Sequence, residues 1–270
     1  MPLIFCNGAV ATAQQLGAAA LVNYGHFTTL QVRGGAVRGL DLHLQRLQYD
    51  GAALFGASID EASLRAQLRA ALSAANCEDA SVRITVFAQD FDLRDPSRQL
   101  ALDVLISIAP AAWMPTTALR VQPVRHVREQ AQHKHVGTFA LLHLRRQAMA
   151  AGYDDALLVD AQEHLLEGAF WNLGVWQQGR VVWPQGPALP GTQQRLLQAG
   201  LQTLGIQQEF RPVVLSELGS FDGAFSCNAR GQQAIVQAGA ASWPAQAAQL
   251  PLLEQALQTQ PWQGIWAIPG

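Results

Sequence analysis

Lysine is almost missing from this sequence. Of 18 basic residues in 270, one is a lysine, Lys134, and the other 17 are arginine. Compositional drift can exchange the two cations across a solvated surface, because either supplies the charge. It cannot do so where chemistry needs a primary amine, since a guanidinium stays protonated and does not condense with an aldehyde. Lys134 is therefore a candidate for amine chemistry before any motif is read, set against a surface lysine left by chance. Cysteine is also scarce. Cys6, Cys77 and Cys227 are scattered, odd in number and without metal-ligand spacing, which argues against a disulfide framework or a metal site and for a reducing cytoplasm. Charge is low at 14%, with a net value of −2, so the basic footprint expected for nucleic acid or an anionic membrane is missing. No apolar run approaches the roughly 18 residues of a membrane span, and the first residues lack the basic leader of a signal peptide. Glycine-rich GxG signatures and a Ser-His-Asp order are absent, and the seven histidines suggest no metal cluster.

What is present is enough apolar sequence, 49%, for a large core. The run FTTLQVRGG predicts a strand ending at a Gly34-Gly35 turn, with AVRGL as its hairpin partner. Asp41 then stands where an N-cap belongs, ahead of helical spacing at Leu42, Leu44 and Leu47. A second helix follows over IDEASLRAQLRAALSAAN. The runs SVRITVFA and LALDVLISIA read as strands joined by a polar loop. Two prolines in 110–117 mark a linker at 111–117. The expected organisation is therefore an N-terminal α+β domain, 1–110, and a C-terminal α+β domain, 118–270, that carries the lysine. In the second domain ALRVQPVRHV reads as a strand, and helices are expected to end at Gly152 and Gly205. Short strands with turns at 161–163 and 177–179 lie between those helices.

Several further residues around this framework offer donors or acceptors, each with a plainer alternative. Arg46, in HLQRL, offers paired N–H donors to phosphate oxygens, although a solvated helix arginine would look the same. Gly191, Thr192 and Gln193 form a turn entering a helix, where free N–H groups and a positive dipole end favour phosphate. Glu167 is a carboxylate in an E-x-x-x-x-N pattern with Asn172 and Leu173; its alternative is a solvated turn residue. Asn228 and Ala229 end a strand in FSCNARG.

Taken in order, GHFTTLQVRGGAV with HLQRL, HKHVGTFALLHLRRQA, DDALLVDAQEHLLEGAFWNLGVW, LPGTQQRLLQ and FSCNARGQQAIV resemble the fold-type-IV pyridoxal-phosphate enzymes of aminotransferase class IV. These include branched-chain and D-amino acid aminotransferases and the 4-amino-4-deoxychorismate lyases. The resemblance implies a two-domain α+β architecture like that of D-amino acid aminotransferase, with pyridoxal 5′-phosphate as cofactor and Lys134 as its Schiff-base lysine. It further implies Arg46, Gly191, Thr192, Gln193, Asn228 and Ala229 at the phosphate, and Glu167 at the pyridine nitrogen. It also implies a cytoplasmic homodimer, with a small-molecule substrate bound between the two domains. Trp171 and Trp176 could serve either a core or that interface.

The sequence departs from the family at several points. An Asp-Arg pair common before the first strand is replaced by GAAALVNYGHF. Phe139 stands where many aminotransferases have a tyrosine, and Gln193 and Gln194 replace a hydroxyl and an arginine. Three features are similar to the lyases: Thr28-Thr29 after Phe27, His135 after Lys134, and Cys227-Asn228-Ala229. The expectation is a lyase that converts 4-amino-4-deoxychorismate to 4-aminobenzoate and pyruvate in folate biosynthesis, with the Thr29 hydroxyl aiding proton transfer. An aminotransferase for branched-chain or D-amino acids is the alternative, and a non-catalytic relative is a second. His133 and His135 are read as neighbours that tune the lysine site.

Overall fold

The computed structural model of the chain describes residues 3–266. The chain divides into two compact units. One takes in the sequence up to Ala112, the short stretch His133–Gly137 and the segment from Trp262. The other comprises Trp113–Gln132 and Thr138–Pro261.

The first unit is built on a five-stranded antiparallel sheet. Its order runs Ala9–Val10, Leu3–Cys6, Asp103–Pro110, Ala80–Phe87 and His26–Val32. Strand alternation turns Leu30, Val32, Val82, Ile84 and Ile106 to one face. There they meet Leu40, Leu44 and Leu47 of the helix Leu40–Phe55, and Leu64, Leu68 and Leu72 of the helix Glu61–Ala75. All of these side chains are fully buried. The Gly34-Gly35 turn forms as expected, with φ of 53° and 70°, a pair of values that glycine takes at little cost. The strand beyond it, Ala36–Arg38, pairs back across the turn through the Arg33–Ala36 bridge. Its ladder is made with Trp262–Gly264 from the far end of the chain.

Asp41 does not cap its helix. The N-cap is Gly39, at φ 71°, and Asp41 lies in the first turn, where its main-chain N–H donates to Gln263 Oε1 at 3.1 Å. The left-handed entry from the preceding strand selects glycine at the cap, and the carboxylate two residues later still favours the positive end of the helix. A helix at Ala13–Val22, which runs into the segment that replaces the Asp-Arg pair, has no counterpart in the sequence reading. Thr12 and Gln15 form its capping box, and none of its residues is buried, so it carries no amphipathic signal.

The lysine segment is placed differently from the expectation that put it in a domain of 118–270. His133–Gly137 lies along the edge of the first unit's sheet. Phe27 N donates to Lys134 O at 2.9 Å, Val136 N donates to Gly25 O at 2.9 Å, and His26 bridges His135. Five residues thus satisfy an otherwise open strand edge, a pairing that local sequence does not encode.

The second unit holds a nine-stranded mixed sheet. Its path runs Gln208–Arg211, Arg180–Pro184, Asn172–Gln177, Gly223–Asn228, Gly231–Ala238, Leu119–Arg125, Asp155–Val159 and Leu165–Gly168, with Ala241–Ser242 paired alongside. The path closes on itself where Glu167 pairs with Asn172. The helices Phe139–Ala150, Thr192–Thr203 and Leu250–Gln258 belong to this unit. Gly152 and Gly205 lie just past the first two with positive φ, as expected of helix stops. Leu250–Gln258 was missed because a proline and a glutamine-rich flank obscure its start. Trp171 and Trp176 are both buried core residues; the Trp176 indole N–H donates to Ala248 O at 3.0 Å. No helix among the described residues is long and apolar enough to cross a membrane.

Candidate active site

The lysine stands at the edge of the first unit's sheet. Lys134 Nζ lies 4.8 Å from the centre of the Phe27 ring. Residues two apart on a strand share a face, so half-buried Thr29 is on the Phe27 face and fully buried Thr28 is on the opposite one. Arg83, across the ladder from Thr29, stacks its guanidinium on the same Phe27 ring at 3.6 Å, with Nε donating to Thr85 Oγ1 at 3.1 Å. One aromatic ring therefore carries an amine and a guanidinium, with a hydroxyl beside it on the strand. Phe139, at the start of its helix, is 80% exposed and stacks on His143.

Behind that face is a buried polar cluster. Thr28 Oγ1 and His43 Nδ1 share a hydrogen bond of 2.6 Å. Burial, then the nearby Arg46 and Lys134 charges, push the His43 pKa down to about 3. The ring is therefore neutral at ordinary pH, and it lies one helical turn from half-buried Arg46. Asp50 accepts from both His133 Nδ1 at 2.8 Å and Lys134 N at 3.1 Å. His26 is fully buried, and burial lowers its pKa to about 4, against the opposing pull of Asp50.

A buried carboxylate stands in the second unit. Glu167 sits where the sheet closes, and Arg128 Nε lies 2.9 Å from its Oε1, both side chains more than nine-tenths buried. The Arg128 guanidinium also donates to Ala131 O. Glu167 Oε2 accepts from Leu189 N at 3.2 Å. Asn172, paired with Glu167 in the ladder, donates its side-chain amide to Leu189 O at 2.8 Å. Glu167 and Asn172 thus hold the loop that leads into Gly191.

Gly191 is the N-cap of the twelve-residue helix Thr192–Thr203 and provides no side-chain cap. The first N–H groups of the helix therefore point outward without a capping oxygen, a favourable seat for an anion. A Cβ on Gly191 would lie 1.9 Å from Asn172 Oδ1, so only glycine fits there. Thr192 is buried and Gln193 half-buried, with Gln193 Nε2 donating to Gln232 Oε1 at 3.4 Å. Asn228 ends its strand with its amide donating to Phe170 O at 3.3 Å and its Oδ1 accepting from Arg230 N at 2.9 Å. Ala229 occupies the adjoining turn.

The structure thus groups Lys134, Thr29 and Arg46 in one unit, and Glu167, Gly191, Thr192, Gln193, Asn228 and Ala229 in the other. Sequence reasoning missed Arg83, Asp50 and Arg128. Their partners lie 56, 84 and 39 residues away, beyond any local pattern; only the abundance of arginine could have prompted a search. Among the described residues no group of three or more His, Cys, Asp or Glu could hold a metal ion.

The family profile described as Amino-transferase class IV matches residues 25–237. No curated protein matches the chain by sequence. Solved structures match it at low identity. A branched-chain aminotransferase from Thermoproteus uzoniensis, bound to norvaline, has a TM-score of 0.82 at 17% identity, over 98% of this chain and 99% of that one. A protein of Legionella pneumophila, provisionally described as a 4-amino-4-deoxychorismate lyase, has a TM-score of 0.77 at 17% identity, over 89% and 92%. A hypothetical aminotransferase of Mycobacterium tuberculosis in its PLP-bound form has a TM-score of 0.77 at 17% identity, over 95% and 99%. At these identities the likeness is one of fold.

Proposed function

This chain belongs to the class IV aminotransferase family and is a pyridoxal-phosphate-dependent enzyme, and from that premise we propose that it cleaves 4-amino-4-deoxychorismate to 4-aminobenzoate and pyruvate. The observation that carries this reading is the Phe27 face, where the Lys134 amine and the Arg83 guanidinium share one ring with Thr29 beside them.

The residues present fit the cofactor by their chemistry. Lys134 is the amine for its aldehyde, and Glu167 the carboxylate for its ring nitrogen. The uncapped helix start at Gly191, Thr192 and Gln193, with Arg46, Asn228 and Ala229, offers donors for its phosphate. When bound, pyridoxal phosphate supplies an electron-accepting ring that stabilises negative charge on the carbon bearing the substrate amine. Arg128 and the Leu189 N–H hold Glu167 in one orientation, and a carboxylate in those two bonds keeps lone pairs for a further donor.

With the cofactor held, the Lys134 amine would take the proton from that carbon. Arg83 meets a substrate carboxylate, and the Phe27 ring keeps water from one side of the lysine. Thr29 Oγ1 donates to the oxygen of the departing enolpyruvyl group. Aromatisation of the ring drives the elimination. Phe139 has no hydroxyl to offer, and the Phe-Thr-Thr and Cys-Asn-Ala sequences support the lyase over transamination. A cytoplasmic homodimer acting in folate biosynthesis completes the reading. Exposed Phe139, Leu142 and Met149 on one helix and three unpaired cysteines support it.

The test is to supply the loaded enzyme with 4-amino-4-deoxychorismate and follow pyruvate, then to supply branched-chain and D-amino acids and follow keto acids. Pyruvate release that is lost in Lys134→Arg is the expected result. Keto-acid formation without pyruvate release would overturn the lyase in favour of a transaminase.

A further inference from the structure

The lysine is held from behind by a residue that lies outside its own motif. Asp50 lies on the Leu40–Phe55 helix and is 1% exposed. Its Oδ2 accepts from the Lys134 main-chain N–H at 3.1 Å, and its Oδ1 accepts from the His133 ring at 2.8 Å. On the other side of the same residue, the Lys134 carbonyl accepts from Phe27 N at 2.9 Å. Both peptide groups that flank the Lys134 Cα are thereby fixed, one to the helix and one to the strand. Tyr49, the neighbour of Asp50, stacks on the His133 ring at 5.3 Å.

We propose that Asp50 is a positioning residue that clamps the Lys134 backbone and so fixes the point from which its side chain extends. The proposal rests on the cofactor role of Lys134 given above. The physical need is clear. A lysine has four rotatable side-chain bonds and a large conformational entropy. If its backbone also moved, the amine would seldom reach a bound aldehyde in a reactive geometry. His133–Gly137 is a short connecting stretch with little regular structure of its own, so its main chain needs an external anchor. A buried carboxylate serves well, because it accepts two hydrogen bonds at once and has a fixed rotamer within the helix packing.

The clamp works by hydrogen bonding and shape, and this separates it from an electrostatic role. In Asp50→Asn the amide oxygen can accept from Lys134 N, while the amide N–H donates to an unprotonated His133 Nδ1. Both bonds survive and the charge is lost. In Asp50→Ala both bonds are lost. His133→Phe keeps the stacking on Tyr49 and the Asp50–Lys134 bond.

Because Lys134 is the only lysine, a chain labelled with 15N-lysine gives one backbone amide signal, which reports the clamp directly. Hydrogen exchange at this amide is expected to be slow in the wild type, Asp50→Asn and His133→Phe, and about tenfold or more faster in Asp50→Ala. In parallel, pyridoxal phosphate is added to the cofactor-free protein. The rise of lysine-linked absorbance is followed, then borohydride trapping and mass analysis of the labelled peptide. Linkage at Lys134 is expected to slow by about tenfold or more in Asp50→Ala, and by less than about threefold in Asp50→Asn.

Equal amide protection in Asp50→Ala and wild type overturns the clamp. So does an Asp50→Asn protein as impaired as Asp50→Ala, which would make the carboxylate charge the active feature. If Asp50→Ala does not fold, Asp50→Asn decides: retained protection and linkage support the clamp, and their loss overturns it. A wild-type protein that forms no trapped linkage at Lys134 removes the cofactor role instead, and the amide signal still decides the clamp.

Discussion

Arg128 Nε and Glu167 Oε1 lie 2.9 Å apart in a site that leaves only 8% and 7% of the two side chains exposed. A buried pair of this kind is costly to break from one side, because the remaining charge has neither water nor partner. Removing one member typically costs about 3–5 kcal/mol. Arg128→Ala is therefore expected to lower the unfolding free energy by about that amount, measured by denaturant titration. The double variant Arg128→Ala with Glu167→Ala is expected to recover part of the loss. A change below about 1 kcal/mol in Arg128→Ala would mean that water replaces the guanidinium and the pair is not closed.

Gly191 and Asn172 are expected to behave as one unit. A Cβ at Gly191 would meet Asn172 Oδ1 at 1.9 Å, so Gly191→Ala must displace the amide that holds Leu189 O. Losing that bond in a buried place costs about 1–3 kcal/mol. Pyridoxal-phosphate affinity, read from an absorbance titration, is expected to fall by about tenfold or more. Asn172→Ala removes the obstacle, so adding Gly191→Ala to it should cost nothing further. Additive losses in the double variant would show that the two residues act separately.

Arg83 offers a test of substrate recognition. Its side chain is exposed and makes no ion pair with a described residue, so Arg83→Gln should leave thermal stability nearly unchanged. A charged hydrogen bond to a carboxylate contributes about 1.5–3 kcal/mol. The expected result is a KM raised by about 10- to 150-fold with a smaller effect on kcat, and partial recovery in Arg83→Lys. An unchanged KM would place the substrate carboxylate elsewhere.

Stability should fall on the acid side because of two buried histidines. His26 and His43 have pKa values pushed down from 6.5 to about 4 and about 3, in both cases mainly by burial. The unfolded chain takes up their protons first, so stability rises with pH across this interval. The contribution is complete above about pH 6.5 and is lost progressively as pH falls toward 4 and then 3. Unfolding midpoints measured from pH 7 to pH 4 should drop, and His43→Gln should flatten the slope. A slope unchanged in His43→Gln would assign the acid sensitivity to other groups.

Much of the fold was legible because its elements carry local patterns. Alternation in SVRITVFA and DVLISIA, the Gly34-Gly35 turn, and apolar spacing through Leu42, Leu44 and Leu47 each reflect a period or a conformational need of neighbouring residues. The helix Ala13–Val22 escaped because it buries nothing, and Asp41 was misread because the cap was set by a left-handed entry at Gly39. Lys134 stood out by composition alone, and Arg46, Glu167, Gly191 and Asn228 by ordered motifs around it.

The sequence by itself determined which chemistry is available, because a lone amine among arginines and a glycine at a helix entry are properties of single residues and their neighbours. Tertiary structure alone decided what orients that chemistry. The lysine segment lies on the first unit's strand edge rather than with the residues that precede and follow it. Asp50 reaches Lys134 across 84 positions, Arg128 reaches Glu167 across 39, and Arg83 shares a ring with the amine only through strand pairing. Such contacts depend on where backbone hydrogen bonds find partners after the chain has folded back on itself, and no local period records that.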